Sequence, residues 1–382
     1  MRFIHTSDLH IGKTVYGFSM TDDQSYILDQ IANIAEKEKA DGIIIAGDVY
    51  DKGVPTEDAV HEFDRFLSRA ADICPIYIVA GNHDSAERLS FGRDLLMRNG
   101  VHITDTYSGK MEKITVEDQF GPLNIYLLPY IKPSLVRPYF KDETVTTPDK
   151  AMQLTLDASD VDPNARNLLV CHQFIVGKGI ELSTTDSEDA KPIVGGIDCI
   201  SAELLKPFDY VALGHIHRAQ SAGRDTIRYC GSPLKYSESE AYDSKSVTVV
   251  DMEEKGKVGL RTVPLIPKKD LRLLKGTIEE ILSPEALKQG NRDDYVIVTL
   301  KENPKNAIER IREIYPFVMH LNFESDGTSG LSDSDISIED IRKMDPIDLF
   351  EQFFEKMNGR KLTSEETAIV ESIIEELDGV DI

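Results

Sequence analysis

Residues 42–51 read GIIIAGDVYD, and the apolar run Ile43 to Ala46 leads straight into a Gly-Asp pair. A short run rich in Ile, with polar or Gly positions at both ends, reads as a buried strand. The arrangement recurs. Ile76 to Ala80 enters GNHD at 81–84, Leu168 to Cys171 enters His172, and Tyr210 to Leu213 enters GHIH at 214–217. Upstream, a strand-like segment from Arg2 reaches DLH at 8–10. Between the early strands lie helical patterns: Ile27, Ile31 and Ile34 at spacings of four and three, and Val60, Phe63 and Leu67 within PTEDAVHEFDRFLSRAAD. Pro55 suits the first turn of that second helix. Such alternation predicts an α/β layered domain, with functional groups gathered beyond the carboxyl ends of its strands.

The five motifs carry the chemistry of a binuclear metal site. Phosphodiesters are cleaved readily by two divalent ions that generate a hydroxide and stabilise the attacking and leaving oxygens. Asp8 and His10, two apart at a strand end, project to one side and reach one ion. Asp48 can bridge two. Asn82 offers a carbonyl oxygen, His172 and His215 complete the second ion's shell, and His217 returns to the first. The donor set mixes nitrogen and oxygen without thiolate, which favours manganese, iron or zinc over calcium, with manganese the first choice. His83, between Asn82 and Asp84, is placed to protonate the leaving oxygen, and Asp84 to orient it. Cys171 precedes His172, so strand alternation turns its thiol into the core. Lys13 and Arg88 stand near the motifs as candidates for phosphate contacts, with a salt-bridged or solvated role the plainer reading. His5, His61, His102 and His320 fall outside the motifs and read as packing or surface residues.

Farther out, 246–251 and 259–263 read as a hairpin that completes a sheet, so the first domain is expected to span 1–267. LRLLKG, DDYVIVTLKE and FVMHLNFE read as strands with NAIERIREIY helical, a small α+β domain over 268–330. The run SDGTSGLSDSD has linker composition. Two amphipathic helices follow in 336–382: Ile347, Phe350, Phe354 and Met357, then Ile369, Ile373 and Leu377. Thr363 and Glu366 form a capping-box pattern before the second. Two short helices cannot cover both apolar faces on each other, so a partner or the preceding domain is expected to do so.

Taken together, the motifs resemble those of the calcineurin-like metallophosphoesterases. That resemblance implies a sandwich of two β-sheets flanked by helices, with Asp8, His10, Asp48, Asn82, His172, His215 and His217 as metal ligands and His83 as the catalytic histidine. The flanking text HTSDLHIGK, GNHDSAERLSF, YVALGHIH and GSPLKYSESE is similar to the SbcD family of nuclease subunits, along essentially the whole chain. This implies a double-strand exonuclease and single-strand or hairpin endonuclease for DNA. It also implies a C-terminal helical element that docks on an SbcC-type coiled-coil ATPase, and a homodimer through the nuclease domain.

The net charge of -24 weighs against tight DNA binding by the chain alone, since affinity for nucleic acid comes largely from Lys and Arg. The acidity is uneven: residues 333–382 hold 15 acidic and 5 basic side chains. No apolar run approaches the ~20 residues of a membrane span, and a strand reaching Asp8 leaves no room for a targeting segment. The four cysteines lack CxxC spacing and are expected as reduced thiols in a cytoplasm. Two competing readings remain: a phosphatase or phosphodiesterase for small molecules, which the acidity suits, and a catalytically dead scaffold for an ATPase, against which the intact ligand set argues.

Overall fold

The computed structural model describes residues 1–141, 144–188 and 199–324, with residues 350, 354, 360–363, 366, 367 and 370 farther on. Residues 1–324 form one compact unit and 325–382 a second.

Two six-stranded sheets face each other in the first unit. In the first sheet, Arg2–Thr6, Gly42–Ala46, Ile76–Val79 and Val101–Ile103 run parallel, and the hairpin Ser246–Met252 and Val258–Pro264 joins antiparallel at one edge. In the second, Gly121–Leu128, Arg166–His172, Tyr210–Gly214 and Ile227–Tyr229 run parallel, with antiparallel strands Glu112–Asp118 and Gln220–Ser221 at the edges. Central strands buried on both faces explain the continuous apolar runs. Phe3, Ile44, Val79, Ile125, Leu168 and Ala212 pack between the sheets. Ile43, Ile45 and Ile78 face outward onto the helices Thr21–Glu38 and Glu57–Ala71. Cys171 and Val211 face the opposite helical layer, with Met152 of Pro148–Ala158. The result is a four-layer sandwich, helices outside and two sheets within.

The second helix departs in detail from its sequence pattern. It starts at Glu57, with Thr56 capping through its side chain to the Ala59 N–H, so Pro55 lies just outside. Its buried face is Ala59, Phe63, Phe66 and Ala70, while Val60 is exposed. Small Ala59 permits close approach where Val60 would not.

Strands Leu271–Gly276, Tyr295–Leu300 and Val318–Phe323 form a parallel three-stranded sheet with a core of its own around Val296, Val298, Ile311 and Tyr315. Leu271, Tyr295, Ile297 and Met319 join the helical layer of the first sheet, and the Tyr295 hydroxyl donates to buried Asp23 at 2.7 Å. In the C-terminal unit, Phe350 and Phe354 are helical with ring centroids 6.5 Å apart. Thr363 Oγ1 accepts from the Glu366 N–H and the Glu366 carboxylate accepts from the Thr363 N–H, a reciprocal capping box. Ile347, Met357, Ile369, Ile373, Leu377 and residues 325–335 lie outside the described residues.

Among the described residues, no helix is long and apolar enough to cross a membrane. Of the histidines outside the motifs, His5 is buried with Nδ1 2.9 Å from the Tyr210 hydroxyl, His102 stacks on Tyr77, His320 stacks on Tyr16, and His61 is exposed.

Candidate metal centre

The parallel strands of both sheets end at one place, and the polar motifs follow directly. The first sheet delivers Asp8, His10, Asp48, Asn82 and His83, the second His172, His215 and His217. The first two loops continue the pairing of their strands: Asp8 N–H donates to Gly47 O, His10 N–H to Asp48 O and Ile11 N–H to Val49 O.

Four of these residues hold backbone conformations that side chains rarely adopt. Asp8, His10, Asp48 and His215 have φ of 53°, 46°, 49° and 100°. Left-handed residues at such density are the kind of local strain that collects at functional sites. The neighbouring glycines are required by contact. A Cβ on Gly81 would lie 2.0 Å from Asp48 Oδ1, and one on Gly47 would lie 2.3 Å from His172 Nδ1. Backbone is thus packed against the Asp48 and His172 side chains with no room for a methyl group.

All seven expected ligands converge. Donor atoms of Asp8, His10 and His217, of Asp8, Asp48 and His172, and of His10, Asp48 and His83 each lie within 4.8 Å of one another. Asp48 Oδ2 is 3.3 Å from His172 Nε2 and 3.7 Å from His10 Nε2. Asn82 Oδ1 sits 3.0 Å from both His172 Nε2 and His215 Nδ1. His10 Nε2 and His217 Nε2 face each other at 3.2 Å.

The donor chemistry fits divalent ions. Two carboxylates, four imidazoles and an amide oxygen point at shared points, and lone pairs at such separations need a proton or a cation between them. The His172 ring is oriented from outside the centre. His172 Nδ1 donates to Ala46 O at 2.8 Å, which leaves Nε2 turned to Asp48 and Asn82. In the protein alone, burial acts to lower the His172 pKa, but the Asp48 and Asp8 carboxylates outweigh it and raise it to about 9. Burial acts to raise the Asp48 pKa, but the imidazoles of His172, His10 and His83 hold it well below the carboxylate range. Burial and the His172 charge lower His215 to about 3, and burial lowers His10 and His217. A proton on His172 therefore stands where a cation is best stabilised.

The remaining expected residues take defined places. His83 N–H donates to Asp48 Oδ1 at 3.0 Å, its Nδ1 is 3.0 Å from Asp51 O, and its ring packs edge-on against His10. Asp84 accepts from the N–H groups of Val49, Tyr50 and Gly81, so it clamps two loops, while the Asp51 carbonyl holds the His83 ring. Burial and the neighbouring Asp48 charge raise Asp84 to about 6. Lys13 is paired with Asp51 at 2.6 Å, and the Arg88 guanidinium donates to Gly53 O.

Sequence reasoning passed over four residues beside the centre. Asp51 faces His10 Nδ1 at 3.6 Å, and Glu188 accepts from the His217 N–H at 2.6 Å. Ser187 and Glu240 lie behind the His217 ring. Asp51 is three residues past Asp48 inside a quoted motif and was open to recognition. No local signal ties the others to His217.

A mixed imidazole and carboxylate pocket at the carboxyl ends of two facing sheets is the arrangement of a metallophosphoesterase. The chain belongs to the calcineurin-like phosphoesterase family, which matches residues 1–219, and within it to the SbcD branch of nuclease subunits. It is 32% identical over 372 residues to the SbcD subunit of the SbcCD nuclease of Staphylococcus epidermidis, covering 95% of each chain. Residues 267–358 match the type 5 capsule protein repressor C-terminal domain. Among solved structures, a dimetal phosphatase from Danio rerio aligns at 10% identity over 70% of this chain and 96% of that one, with a TM-score of 0.41. The protein TT1561 of Thermus thermophilus aligns at 11% identity over 68% of this chain and 98% of that one, with a TM-score of 0.40. Overlaps this low assign nothing further.

Proposed function

We propose that this chain is the metal-dependent nuclease subunit of a complex with an SbcC-type coiled-coil ATPase, acting on DNA in end processing, repair and recombination. Its activities would be double-strand exonuclease and single-strand or hairpin endonuclease. The observation that carries the reading is the overlap of the donor groups on Asp48, with Asp8, His10 and His217 on one side and Asn82, His172 and His215 on the other. Those residues would hold two divalent ions, manganese the first choice. When bound, such ions activate water and neutralise charge on the phosphodiester. His83, with Nδ1 on the Asp51 carbonyl, presents Nε2 as the atom that passes a proton to the leaving oxygen. Lys13 and Arg88 are proposed to meet DNA phosphates.

The appended regions support the partner assignments. The acidic C-terminal unit, with its paired phenylalanines, would dock on the ATPase, and most DNA affinity would come from that partner. Homodimerisation through the nuclease domain is supported by apolar Phe91 and Leu95, 87% and 65% exposed. The buried thiols of Cys74, Cys171 and Cys230 suit a cytoplasmic location.

The test is a panel of DNA ends, a nitrophenyl diester and cyclic nucleotides, each with Mn2+, for the natural chain and Asp48→Ala. Cleavage confined to the small diesters overturns the DNA reading, and unaltered cleavage by Asp48→Ala overturns the metal centre. Deleting residues 336–382 is expected to abolish ATPase binding and spare hydrolysis of the small diester.

A further inference from the structure

The GSPLKYSESE segment at 231–240 follows the GHIH motif at 214–217 and folds back behind it. Glu240 is fully buried, and both its oxygens are occupied. Oε1 accepts from Ser187 Oγ at 2.5 Å, Ser237 Oγ at 3.0 Å and the Tyr236 N–H at 3.2 Å. Oε2 accepts from Ser232 Oγ at 3.1 Å and Lys245 Nζ at 2.5 Å. Lys245 Nζ donates also to His217 O at 2.9 Å.

A carboxylate is an acceptor only, so the Ser187 hydroxyl proton is committed to Glu240. Ser187 Oγ then turns a lone pair toward His217 Nδ1, 2.7 Å away. His217 Nδ1 must be the donor of that contact, and the ring's remaining lone pair sits on Nε2, the atom that faces His10. Glu240 Oε1 itself lies 3.7 Å from the same Nδ1.

We infer that Glu240 is a positioning residue that acts through Ser187 to lock His217 in the Nδ1–H tautomer, with Nε2 presented for metal. The Lys245 ammonium keeps the carboxylate charged and ties it to the His217 backbone, so ring and relay move as one body. The inference rests on the metal reading of the site above and adds to it a function for the serine and glutamate of two separate loops. A purely structural salt bridge would hold the loop equally well but would leave the tautomer unconstrained.

The test uses the full chain in four forms: natural, Ser187→Ala, Ser187→Thr and Glu240→Gln. In the metal-free chain, nitrogen NMR of labelled histidine is expected to show His217 as Nδ1–H in the natural protein and as a tautomer mixture in Ser187→Ala. Calorimetric titration with Mn2+ alone is expected to show the affinity of one site falling by about 10- to 100-fold in Ser187→Ala, as for loss of an outer partner of a ligand histidine. Ser187→Thr, which keeps the hydroxyl, should restore both. An unchanged tautomer or an unchanged Mn2+ affinity in Ser187→Ala overturns the inference. Should Glu240→Gln fail to fold, Ser187→Ala decides alone. A natural chain that takes up no Mn2+ would overturn the metal reading and this inference with it, whereas normal uptake by both the natural chain and Ser187→Ala overturns only the inference.

Discussion

Lys245→Met removes the cation from a carboxylate that has no access to water. Glu240 is fully buried and the Lys245 side chain is 6% exposed, so solvent cannot replace the lost charge. Breaking a buried pair by deleting one partner costs about 3–5 kcal/mol. With unfolding entropy near 2.1 cal/mol/K per residue, a unit of 324 residues loses roughly 4–7 °C of melting temperature. The pH dependence follows from Glu240. Burial acts to raise its pKa, but Lys245 and His217 outweigh it and hold the carboxyl below its ordinary range. A depressed carboxylate contributes stability above its unfolded pKa, near 4.3, and loses it as pH falls through the folded value. In Lys245→Met burial is no longer offset by the ammonium and the folded pKa rises above the unfolded value, so Glu240 takes up a proton as pH falls and the gap between the two proteins should be widest at pH 8 and shrink toward pH 5. Thermal melts of both chains at the two pH values measure this. A companion Glu240→Gln/Lys245→Met double variant, which keeps an oxygen acceptor for the surrounding hydroxyls, should melt above the single variant, since no charge is stranded. A single variant within 1 °C of the natural chain at pH 8, or a double variant that melts lower still, refutes the reasoning.

Gly81→Ala places a methyl carbon 2.0 Å from Asp48 Oδ1 and should displace that carboxylate. Overpacking costs about 1–3 kcal/mol, and Mn2+ uptake by calorimetry should drop with the melting temperature. His83→Asn should keep Mn2+ uptake and lower kcat on a small diester by about 10²- to 10⁴-fold, the usual share of a general acid. Tyr295→Phe takes the 2.7 Å hydrogen bond from buried Asp23 and should cost about 1–3 kcal/mol in a denaturant titration, with metal uptake unchanged. Chelation with EDTA should abolish hydrolysis of every substrate, and Mn2+ added back should restore it.

The metal motifs were legible because their chemistry is local. A buried strand needs an unbroken apolar run, and the loop at its end needs Gly and a polar residue within a few positions, so GIIIAGD and YVALGHIH announce both strand and candidate ligand. The three strands and one helix of the α+β region were legible for the same reason. The buried face of Glu57–Ala71 was misjudged at Val60 because periodicity admits neighbouring stripes, and only packing against the sheet selects Ala59. The hairpin of Glu112–Asp118 with Gly121–Leu128 went unread, since its outer strand is half-exposed and lacks a continuous apolar pattern.

By itself, then, the sequence determined the layered class, the candidate ligand residues and the phosphoesterase family, all written in short segments whose physics is contained within a few residues. The tertiary structure decided how two sheets bring those segments to one point, that Asp84 clamps loops while Asp51 holds His83, and that Glu240, Lys245 and Ser187 stand behind His217. The contacts onto and behind His217 join residues 23 to 53 positions apart, where burial sets the energy of a charge and no local pattern records the neighbour.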